Sequence, residues 1–154
     1  MSTAPRCAPM SWVQHTARFL LGGALLLAGT GHLTTLRQAF RAQVPTWLPL
    51  DPDVVVVVSG VVELALGAAL IALPRYRLTV GVVVAAFFVA VFPGNISQYL
   101  THTDAFGLNT DASRLVRLFF QPLLVAWALW STGAWAAWRA SRRGHRAVGE
   151  GVQR

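Results

Sequence analysis

Residues 54–73 read VVVVVSGVVELALGAALIAL, a run of twenty residues in which Glu63, near the centre, is the one ionisable side chain. A helix needs roughly 20 apolar residues to cross the hydrocarbon core of a bilayer, so this stretch predicts a membrane-spanning helix. Glu63 would then lie about 15 Å from the end of the span, because a helix rises about 1.5 Å per residue.

The depth of Glu63 makes its carboxyl a candidate functional group. A carboxylate near the middle of a bilayer costs about 2.5 kcal/mol or more unless it is protonated, paired or hydrated. The alternative is purely structural, because polar side chains in membranes also hydrogen-bond neighbouring helices. The sequence leaves both interpretations open.

The composition indicates a membrane protein. Hydrophobic residues make up 55% of the chain and charged residues only 12%, whereas a soluble domain is about 25% charged. All 13 basic residues are arginine and they border the apolar runs. Such basic flanks orient a protein in a membrane, and no nucleic-acid-binding motif is present, so the expected partner is the lipid bilayer and not a nucleic acid.

The sequence offers no pattern typical of a metal or disulfide site. Cys7 is the only cysteine, so an intrachain disulfide, a CxxC pair and a cysteine metal site are excluded. His102, Asp104 and Asp111 have no spacing specific for a metal, so we interpret them as polar loop residues and predict no metal site.

The apolar runs predict an all-α membrane protein, a four-transmembrane-helix antiparallel bundle. Its helices are expected at about residues 12–33, 54–73, 78–100 and 114–138, after an N-terminal tail of residues 1–11 and before a basic tail of residues 139–154. The first run is longer than the apolar part of a signal peptide and lacks a clear cleavage site, so it should be retained. Pro93 should kink the third helix.

Small residues mark one face on each of the first two helices. Gly22, Gly29 and His32 share a face by steps of seven and three, and Gly60 shares a face with Glu63. Since glycine lets a neighbouring helix approach closely, both faces are predicted to lie at helix–helix contacts.

The arginines predict the topology. Eight of them fall on one side of the predicted membrane: Arg6, Arg18, Arg75, Arg77, Arg139, Arg142, Arg143 and Arg146. Four fall on the other side: Arg37, Arg41, Arg114 and Arg117. Because arginine accumulates on the cytoplasmic side, both termini are predicted to be cytoplasmic.

With this topology, polar residues of all four helices converge in the outer half of the bundle. They are His32, Glu63, Asn95, Arg117 and Gln121, and they predict a ligand-binding cavity or a polar network. The depths favour Gln121 as the direct hydrogen-bond partner of Glu63, with Arg117 reaching the carboxyl only through water or a ligand.

A spaced residue pattern runs through the same segments. It comprises Arg18, Gly22, Ala28, Gly29 and His32; Pro45, Trp47, Leu48 and Pro49; Ser59, Gly60, Glu63 and Gly67; Phe92, Pro93 and Asn95; and Arg117 and Gln121. In this pattern the chain resembles the DoxX and DoxX-like membrane proteins over about residues 16–138. The chain departs from the family at Leu33, where an aromatic residue is common, and at Gly94, where alanine is common.

The resemblance implies a multi-pass four-helix protein of the inner membrane. Members of that family have been linked to quinone-dependent oxidoreductase systems and to the assembly of membrane complexes. Related four-helix proteins exchange disulfides through cysteine pairs, which Cys7 alone cannot provide.

Three classes of function follow. The first is an accessory or assembly subunit of a membrane-associated oxidoreductase system, with a membrane or soluble redox protein as partner. The second is a quinone-reactive oxidoreductase subunit, with quinone as cofactor and with Glu63 and His32 as proton carriers. The third is a small transporter or a protein that binds an apolar small molecule. Whether the chain is an enzyme is left open by its sequence.

Overall fold

The computed structural model describes residues 9–107 and 110–151, and within that range the chain is all-helical. The helices are α1 (Trp12–Leu33), α2 (Arg37–Arg41), α3 (Pro52–Ala72), α4 (Arg77–Leu100), α5 (Asp111–Ser131) and α6 (Ala134–Gly151). A 3-10 turn at Pro74–Tyr76 joins α3 to α4.

Side-chain caps fix where the long helices begin. Ser11 starts α1, and its hydroxyl accepts a hydrogen bond from the backbone N–H of Gln14. The Asp51 carboxylate accepts from the N–H of Asp53, and Pro52 occupies the first position of α3, where its missing N–H costs nothing. Thr110 caps α5. Helix α3 therefore begins two residues before the expected position 54, and α5 begins three residues before the expected position 114.

The predicted fourth helix, residues 114–138, is two helices. Gly133 adopts a positive φ of 78°, which turns the chain after Ser131 and lets α6 begin at Ala134. Most of the basic segment that we expected to be a tail belongs to α6. Residues 1–8 of the expected N-terminal tail lie outside the described residues. Pro93 lies inside α4, which remains helical on both sides of it.

Three helical segments in the described ranges are long and apolar enough to cross a membrane. They are residues 52–72, 74–100 and 111–131. Large apolar side chains on them, such as Val58, Val89 and Phe119, are exposed, as a lipid-facing surface requires. These helices indicate a multi-pass membrane protein. Helix α1 is as long as these three segments. It is not one of the three apolar spans, because Arg18 and His32 lower its mean hydropathy.

Helix α1 packs chiefly against α3, and α4 packs against α5. The buried apolar core between them includes Leu21, Leu25, Leu70, Val84, Ala85, Phe88 and Ala128. Both glycine faces lie at a helix–helix contact, as predicted, and the structure shows that they face each other. A Cβ atom on Gly60 would lie 2.7 Å from the Cβ of His32, and one on Gly67 would lie 2.7 Å from the carbonyl oxygen of Gly22. This close approach brings His32 of α1 against Glu63 of α3.

Candidate functional site

A cavity of about 460 Å³ lies between the C-terminal halves of α1 and α4, the N-terminal half of α3 and the middle of α5. Helix α2 and residues 43–48 complete its wall. Most of the lining is apolar and includes Leu21, Leu25, Val56, Phe88, Trp47 and Leu124. All five predicted site residues line this cavity, namely His32, Glu63, Asn95, Arg117 and Gln121.

His32 and Glu63 form a buried pair in the cavity wall. His32 Nδ1 lies 2.9 Å from Glu63 Oε2 and 2.9 Å from the carbonyl oxygen of Ala28. A carbonyl oxygen only accepts hydrogen bonds, so Nδ1 carries the proton. One proton cannot point at both oxygens, and Glu63 Oε2 is left buried without a well-directed hydrogen bond. The Phe40 ring stacks on the imidazole with a centroid distance of 3.3 Å and so fixes its plane.

Arg117 faces the same cavity from α5. Its Nε donates to Asn95 Oδ1 at 3.1 Å, and its Nη2 donates to Gln43 Oε1 at 3.1 Å. The guanidinium also lies 4.9 Å from the centre of the Phe106 ring, a favourable cation–π distance. Two amide oxygens and one aromatic ring therefore stabilise this cation, and no carboxylate neutralises it among the described residues.

A chain of amide side chains extends from Arg117. Asn95 Nδ2 donates to Gln121 Oε1 at 2.9 Å, and Gln121 Nε2 donates to the carbonyl oxygen of Phe88. In the other direction, Gln43 Nε2 donates to Gln98 Oε1 at 2.7 Å. The network ties α4, α5 and the connection after α2 together, so the orientation of Arg117 is fixed from both sides.

The predicted hydrogen bond between Glu63 and Gln121 is wrong. Gln121 bonds Asn95 and the backbone of α4, while the nearest described partner of Glu63 is His32. Gln121 and Glu63 line the same cavity, as their depths predicted. The close contact between α1 and α3 brings His32, and not Gln121, to the carboxyl.

Sequence reasoning missed three residues of the site. Gln98 is 2% exposed and lies three residues after Asn95, so the helical repeat could have placed both on one face. The stacking of Phe40 on His32 is a tertiary contact without a local signal in the sequence. Gln43 lies in the connection between α2 and α3, where no periodicity applies.

Two of the polar residues after α4, Asp104 and Asp111, form ion pairs with Arg114. Its Nη2 binds Asp104, its Nη1 lies 2.8 Å from Asp111, and His102 Nδ1 lies 2.8 Å from the same carboxylate. These residues therefore form an ion-pair cluster that neutralises a buried arginine beside the site.

The arrangement offers two chemical functions on one apolar cavity. Arg117 presents a hydrogen-bonding cation, and the His32–Glu63 pair presents an imidazole and a carboxyl group. A ligand with an apolar body and a polar end group can use both.

A family model described as domain of unknown function (DUF8561) matches residues 21–132. This chain belongs to the DUF8561 family. The match covers all five predicted site residues and most of the length from α1 to the end of α5. Neither a curated protein nor a solved structure matches the chain. Membership of DUF8561 does not test the resemblance to the DoxX-like proteins, which stays a prediction.

Proposed function

We propose that this DUF8561 protein binds an apolar small molecule in the cavity and holds the polar end group of that molecule at Arg117 and the His32–Glu63 pair. The observation that carries the proposal is the composition of the cavity wall, which is mainly apolar with a few converging polar groups. Ligand sites typically have this composition and volumes of about 300–1,000 Å³.

The membrane arrangement we propose is a four-helix bundle in which α1 is the fourth span. Support comes from its packing along α3 and from the burial of its polar residues Arg18 and His32 inside the protein, at 2% and 6% exposure. The arginine distribution supports cytoplasmic termini, and the DoxX resemblance supports the inner membrane.

The geometry favours a ligand that accepts hydrogen bonds. Arg117 can only donate, and a guanidinium forms its strongest hydrogen bonds with oxygen acceptors. A quinone combines an apolar ring with carbonyl oxygens, so it is our first candidate ligand. The buried His32–Glu63 pair also favours a second function, a quinone-reactive subunit in which a redox partner protein supplies two electrons to the quinone and His32 and Glu63 pass two protons to its oxygens.

The role as an accessory or assembly subunit of an oxidoreductase system rests on the DoxX resemblance alone. In that role the protein would hold the small molecule for a membrane or soluble redox partner. Ligand binding is common to this role and to a small transporter, and it is therefore the step to test first.

The test is a titration of the protein in phosphatidylcholine nanodiscs with a short-chain benzoquinone, followed by quenching of tryptophan fluorescence. Trp47 lines the cavity and should report occupancy. We expect Arg117→Gln to weaken binding about tenfold, because it removes charge-assisted donors. Arg41→Gln is the matched control, since Arg41 is at the same end of the molecule but is not part of the lining.

A second variant tests the apolar part of the site. Ala28→Phe adds bulk to the cavity wall without removing a polar group. This variant should abolish quinone binding. Equal affinities in the parent, Arg117→Gln and Ala28→Phe would show that the quinone does not occupy this cavity.

A further inference from the structure

Arg18 is a buried cation whose guanidinium lies 5.0 Å from the centre of the Phe19 ring but forms no ion pair with a described carboxylate. It is 2% exposed, and its Nε and Nη1 have no hydrogen-bond acceptor. The arginines at the cavity end differ, because Arg37 and Arg41 bind Asp53, and Arg114 binds two aspartates. A buried guanidinium without an acceptor is strongly unfavourable, so Arg18 requires an anion that the described residues do not supply.

Two hydrogen bonds fix the level of Arg18 in the molecule. Gln14 Nε2 donates to the carbonyl oxygen of Trp130 at 3.0 Å, and Trp127 Nε1 donates to that of Ala17 at 3.0 Å. Arg18 therefore lies level with the tryptophans at the end of α5. The exposed tryptophans at this end are Trp12, Trp130, Trp135 and Trp138. Tryptophan belts lie at the lipid headgroups, and this places Arg18 near the depth of the lipid phosphates.

This end of the protein has excess positive charge. The positive charge of Arg77 on α4 repels that of Arg18. Arg77 also takes part in a further interaction. Of the six acidic residues, Asp51, Asp53, Glu63, Asp104 and Asp111 belong to α3, α5 and the connections at the cavity end. Glu150 is the sixth, and its side chain lies outside the described part. An external anion is therefore favoured beside Arg18.

An apolar groove of about 400 Å³ runs between α1 and α5 at the same level. It is lined by Ala17, Leu123, Ala126, Trp127 and Trp130; Arg18 follows Ala17 in the chain but does not line the groove. Its composition suits the acyl chain of a lipid whose phosphate is held by the arginine.

We propose that Arg18 is a specific site for the phosphate group of an anionic phospholipid, at the end of the protein opposite the cavity. The guanidinium of Arg18 would hold the phosphate oxygens in the forked geometry that guanidinium groups offer to phosphates, and its buried Nε and Nη1 would turn outward to do so. The groove between α1 and α5 accommodates a chain of the same lipid.

The experiment compares the full-length protein in nanodiscs of phosphatidylcholine alone and of phosphatidylcholine mixed with phosphatidylglycerol. Native mass spectrometry counts the phosphatidylglycerol that is retained, and thermal unfolding measures its stabilising effect. We expect Arg18→Gln to reduce retention about tenfold and to remove the phosphatidylglycerol-dependent rise in Tm. Arg75→Gln, which changes an exposed arginine at the same end, should behave as the parent, and Arg18→Lys should be intermediate because it keeps the charge but loses the fork.

The outcome in phosphatidylcholine alone separates a lipid site from a structural ion pair. Arg18→Gln should be at least as stable there as the parent, because it removes an unpaired charge. Strong destabilisation or misfolding of Arg18→Gln in that lipid would overturn the proposal. So would equal retention in Arg18→Gln and Arg75→Gln, an equal Tm rise on adding inorganic phosphate to phosphatidylcholine nanodiscs, or a Glu150→Gln variant that reproduces the loss.

Discussion

Glu63 is a residue whose depth and helix face could be predicted from the sequence, whereas its partner could not. The position of Glu63 within an apolar run establishes its depth, and the glycine three residues before it establishes which face it lies on. Neither feature identifies its partner, because the partner depends on which helix approaches that face. The structure places His32 Nδ1 2.9 Å from the carboxyl.

We expect positions 32 and 63 to be energetically coupled by about 1 kcal/mol, because neighbouring groups in one polar contact do not act independently. The measurement is a double-mutant cycle with His32→Ala and Glu63→Ala, followed by thermal unfolding in detergent. The control cycle pairs Glu63→Ala with Gln121→Ala and should be additive. Coupling between 63 and 121 with additivity between 32 and 63 would restore the pairing that the sequence suggested.

The helices themselves were largely predictable from the sequence. The ends of α1 coincide with the expected ones, and the glycine faces of α1 and α3 both lie at a helix–helix contact, as their spacing predicted. The break at Gly133 was missed because a single glycine between apolar tryptophan-rich segments is also tolerated inside a helix. Only the positive φ of this residue reveals the turn.

The close contact between α1 and α3 should be sensitive to a single added methyl group. Gly60→Ala would place a Cβ atom 2.7 Å from the Cβ of His32, and overpacking of this kind costs about 1–3 kcal/mol. We expect lower thermal stability and weaker quinone binding, since His32 must move. Gly23→Ala is the control, because a Cβ there meets nothing within 4 Å. If both variants unfold at the same temperature, this contact does not position His32.

Over the whole molecule, the charges divide the protein into two unlike ends. The cavity end balances its arginines with aspartates and amides, whereas Arg18 at the other end has no described acceptor. The arginine count predicted which end carries more arginines, and the five polar residues predicted from the sequence are among those that line the cavity. The order of hydrogen bonds within the network depends on side-chain geometry and could not be predicted.

The same division predicts orientation. We expect a cysteine at Thr101, which is exposed between α4 and α5, to react on intact cells with an impermeant thiol reagent in a Cys7→Ser background. A cysteine at Arg143, which is exposed on α6, should react only after the membrane is permeabilised. The reverse pattern would mean that the termini are outside and that the positive-inside rule does not orient this protein.

Photo-crosslinking with an azidoquinone would show whether a small molecule occupies the cavity formed by α1, α3, α4 and α5. Peptide mapping by mass spectrometry should place the label on residues 43–48 or 90–95, which line the cavity. An excess of unmodified quinone should suppress this label, Arg117→Gln should reduce it strongly, and Arg41→Gln should leave it unchanged. Label spread over lipid-facing positions such as Val58 and Phe119, with no effect of Arg117→Gln, would show that the quinone does not bind in the cavity.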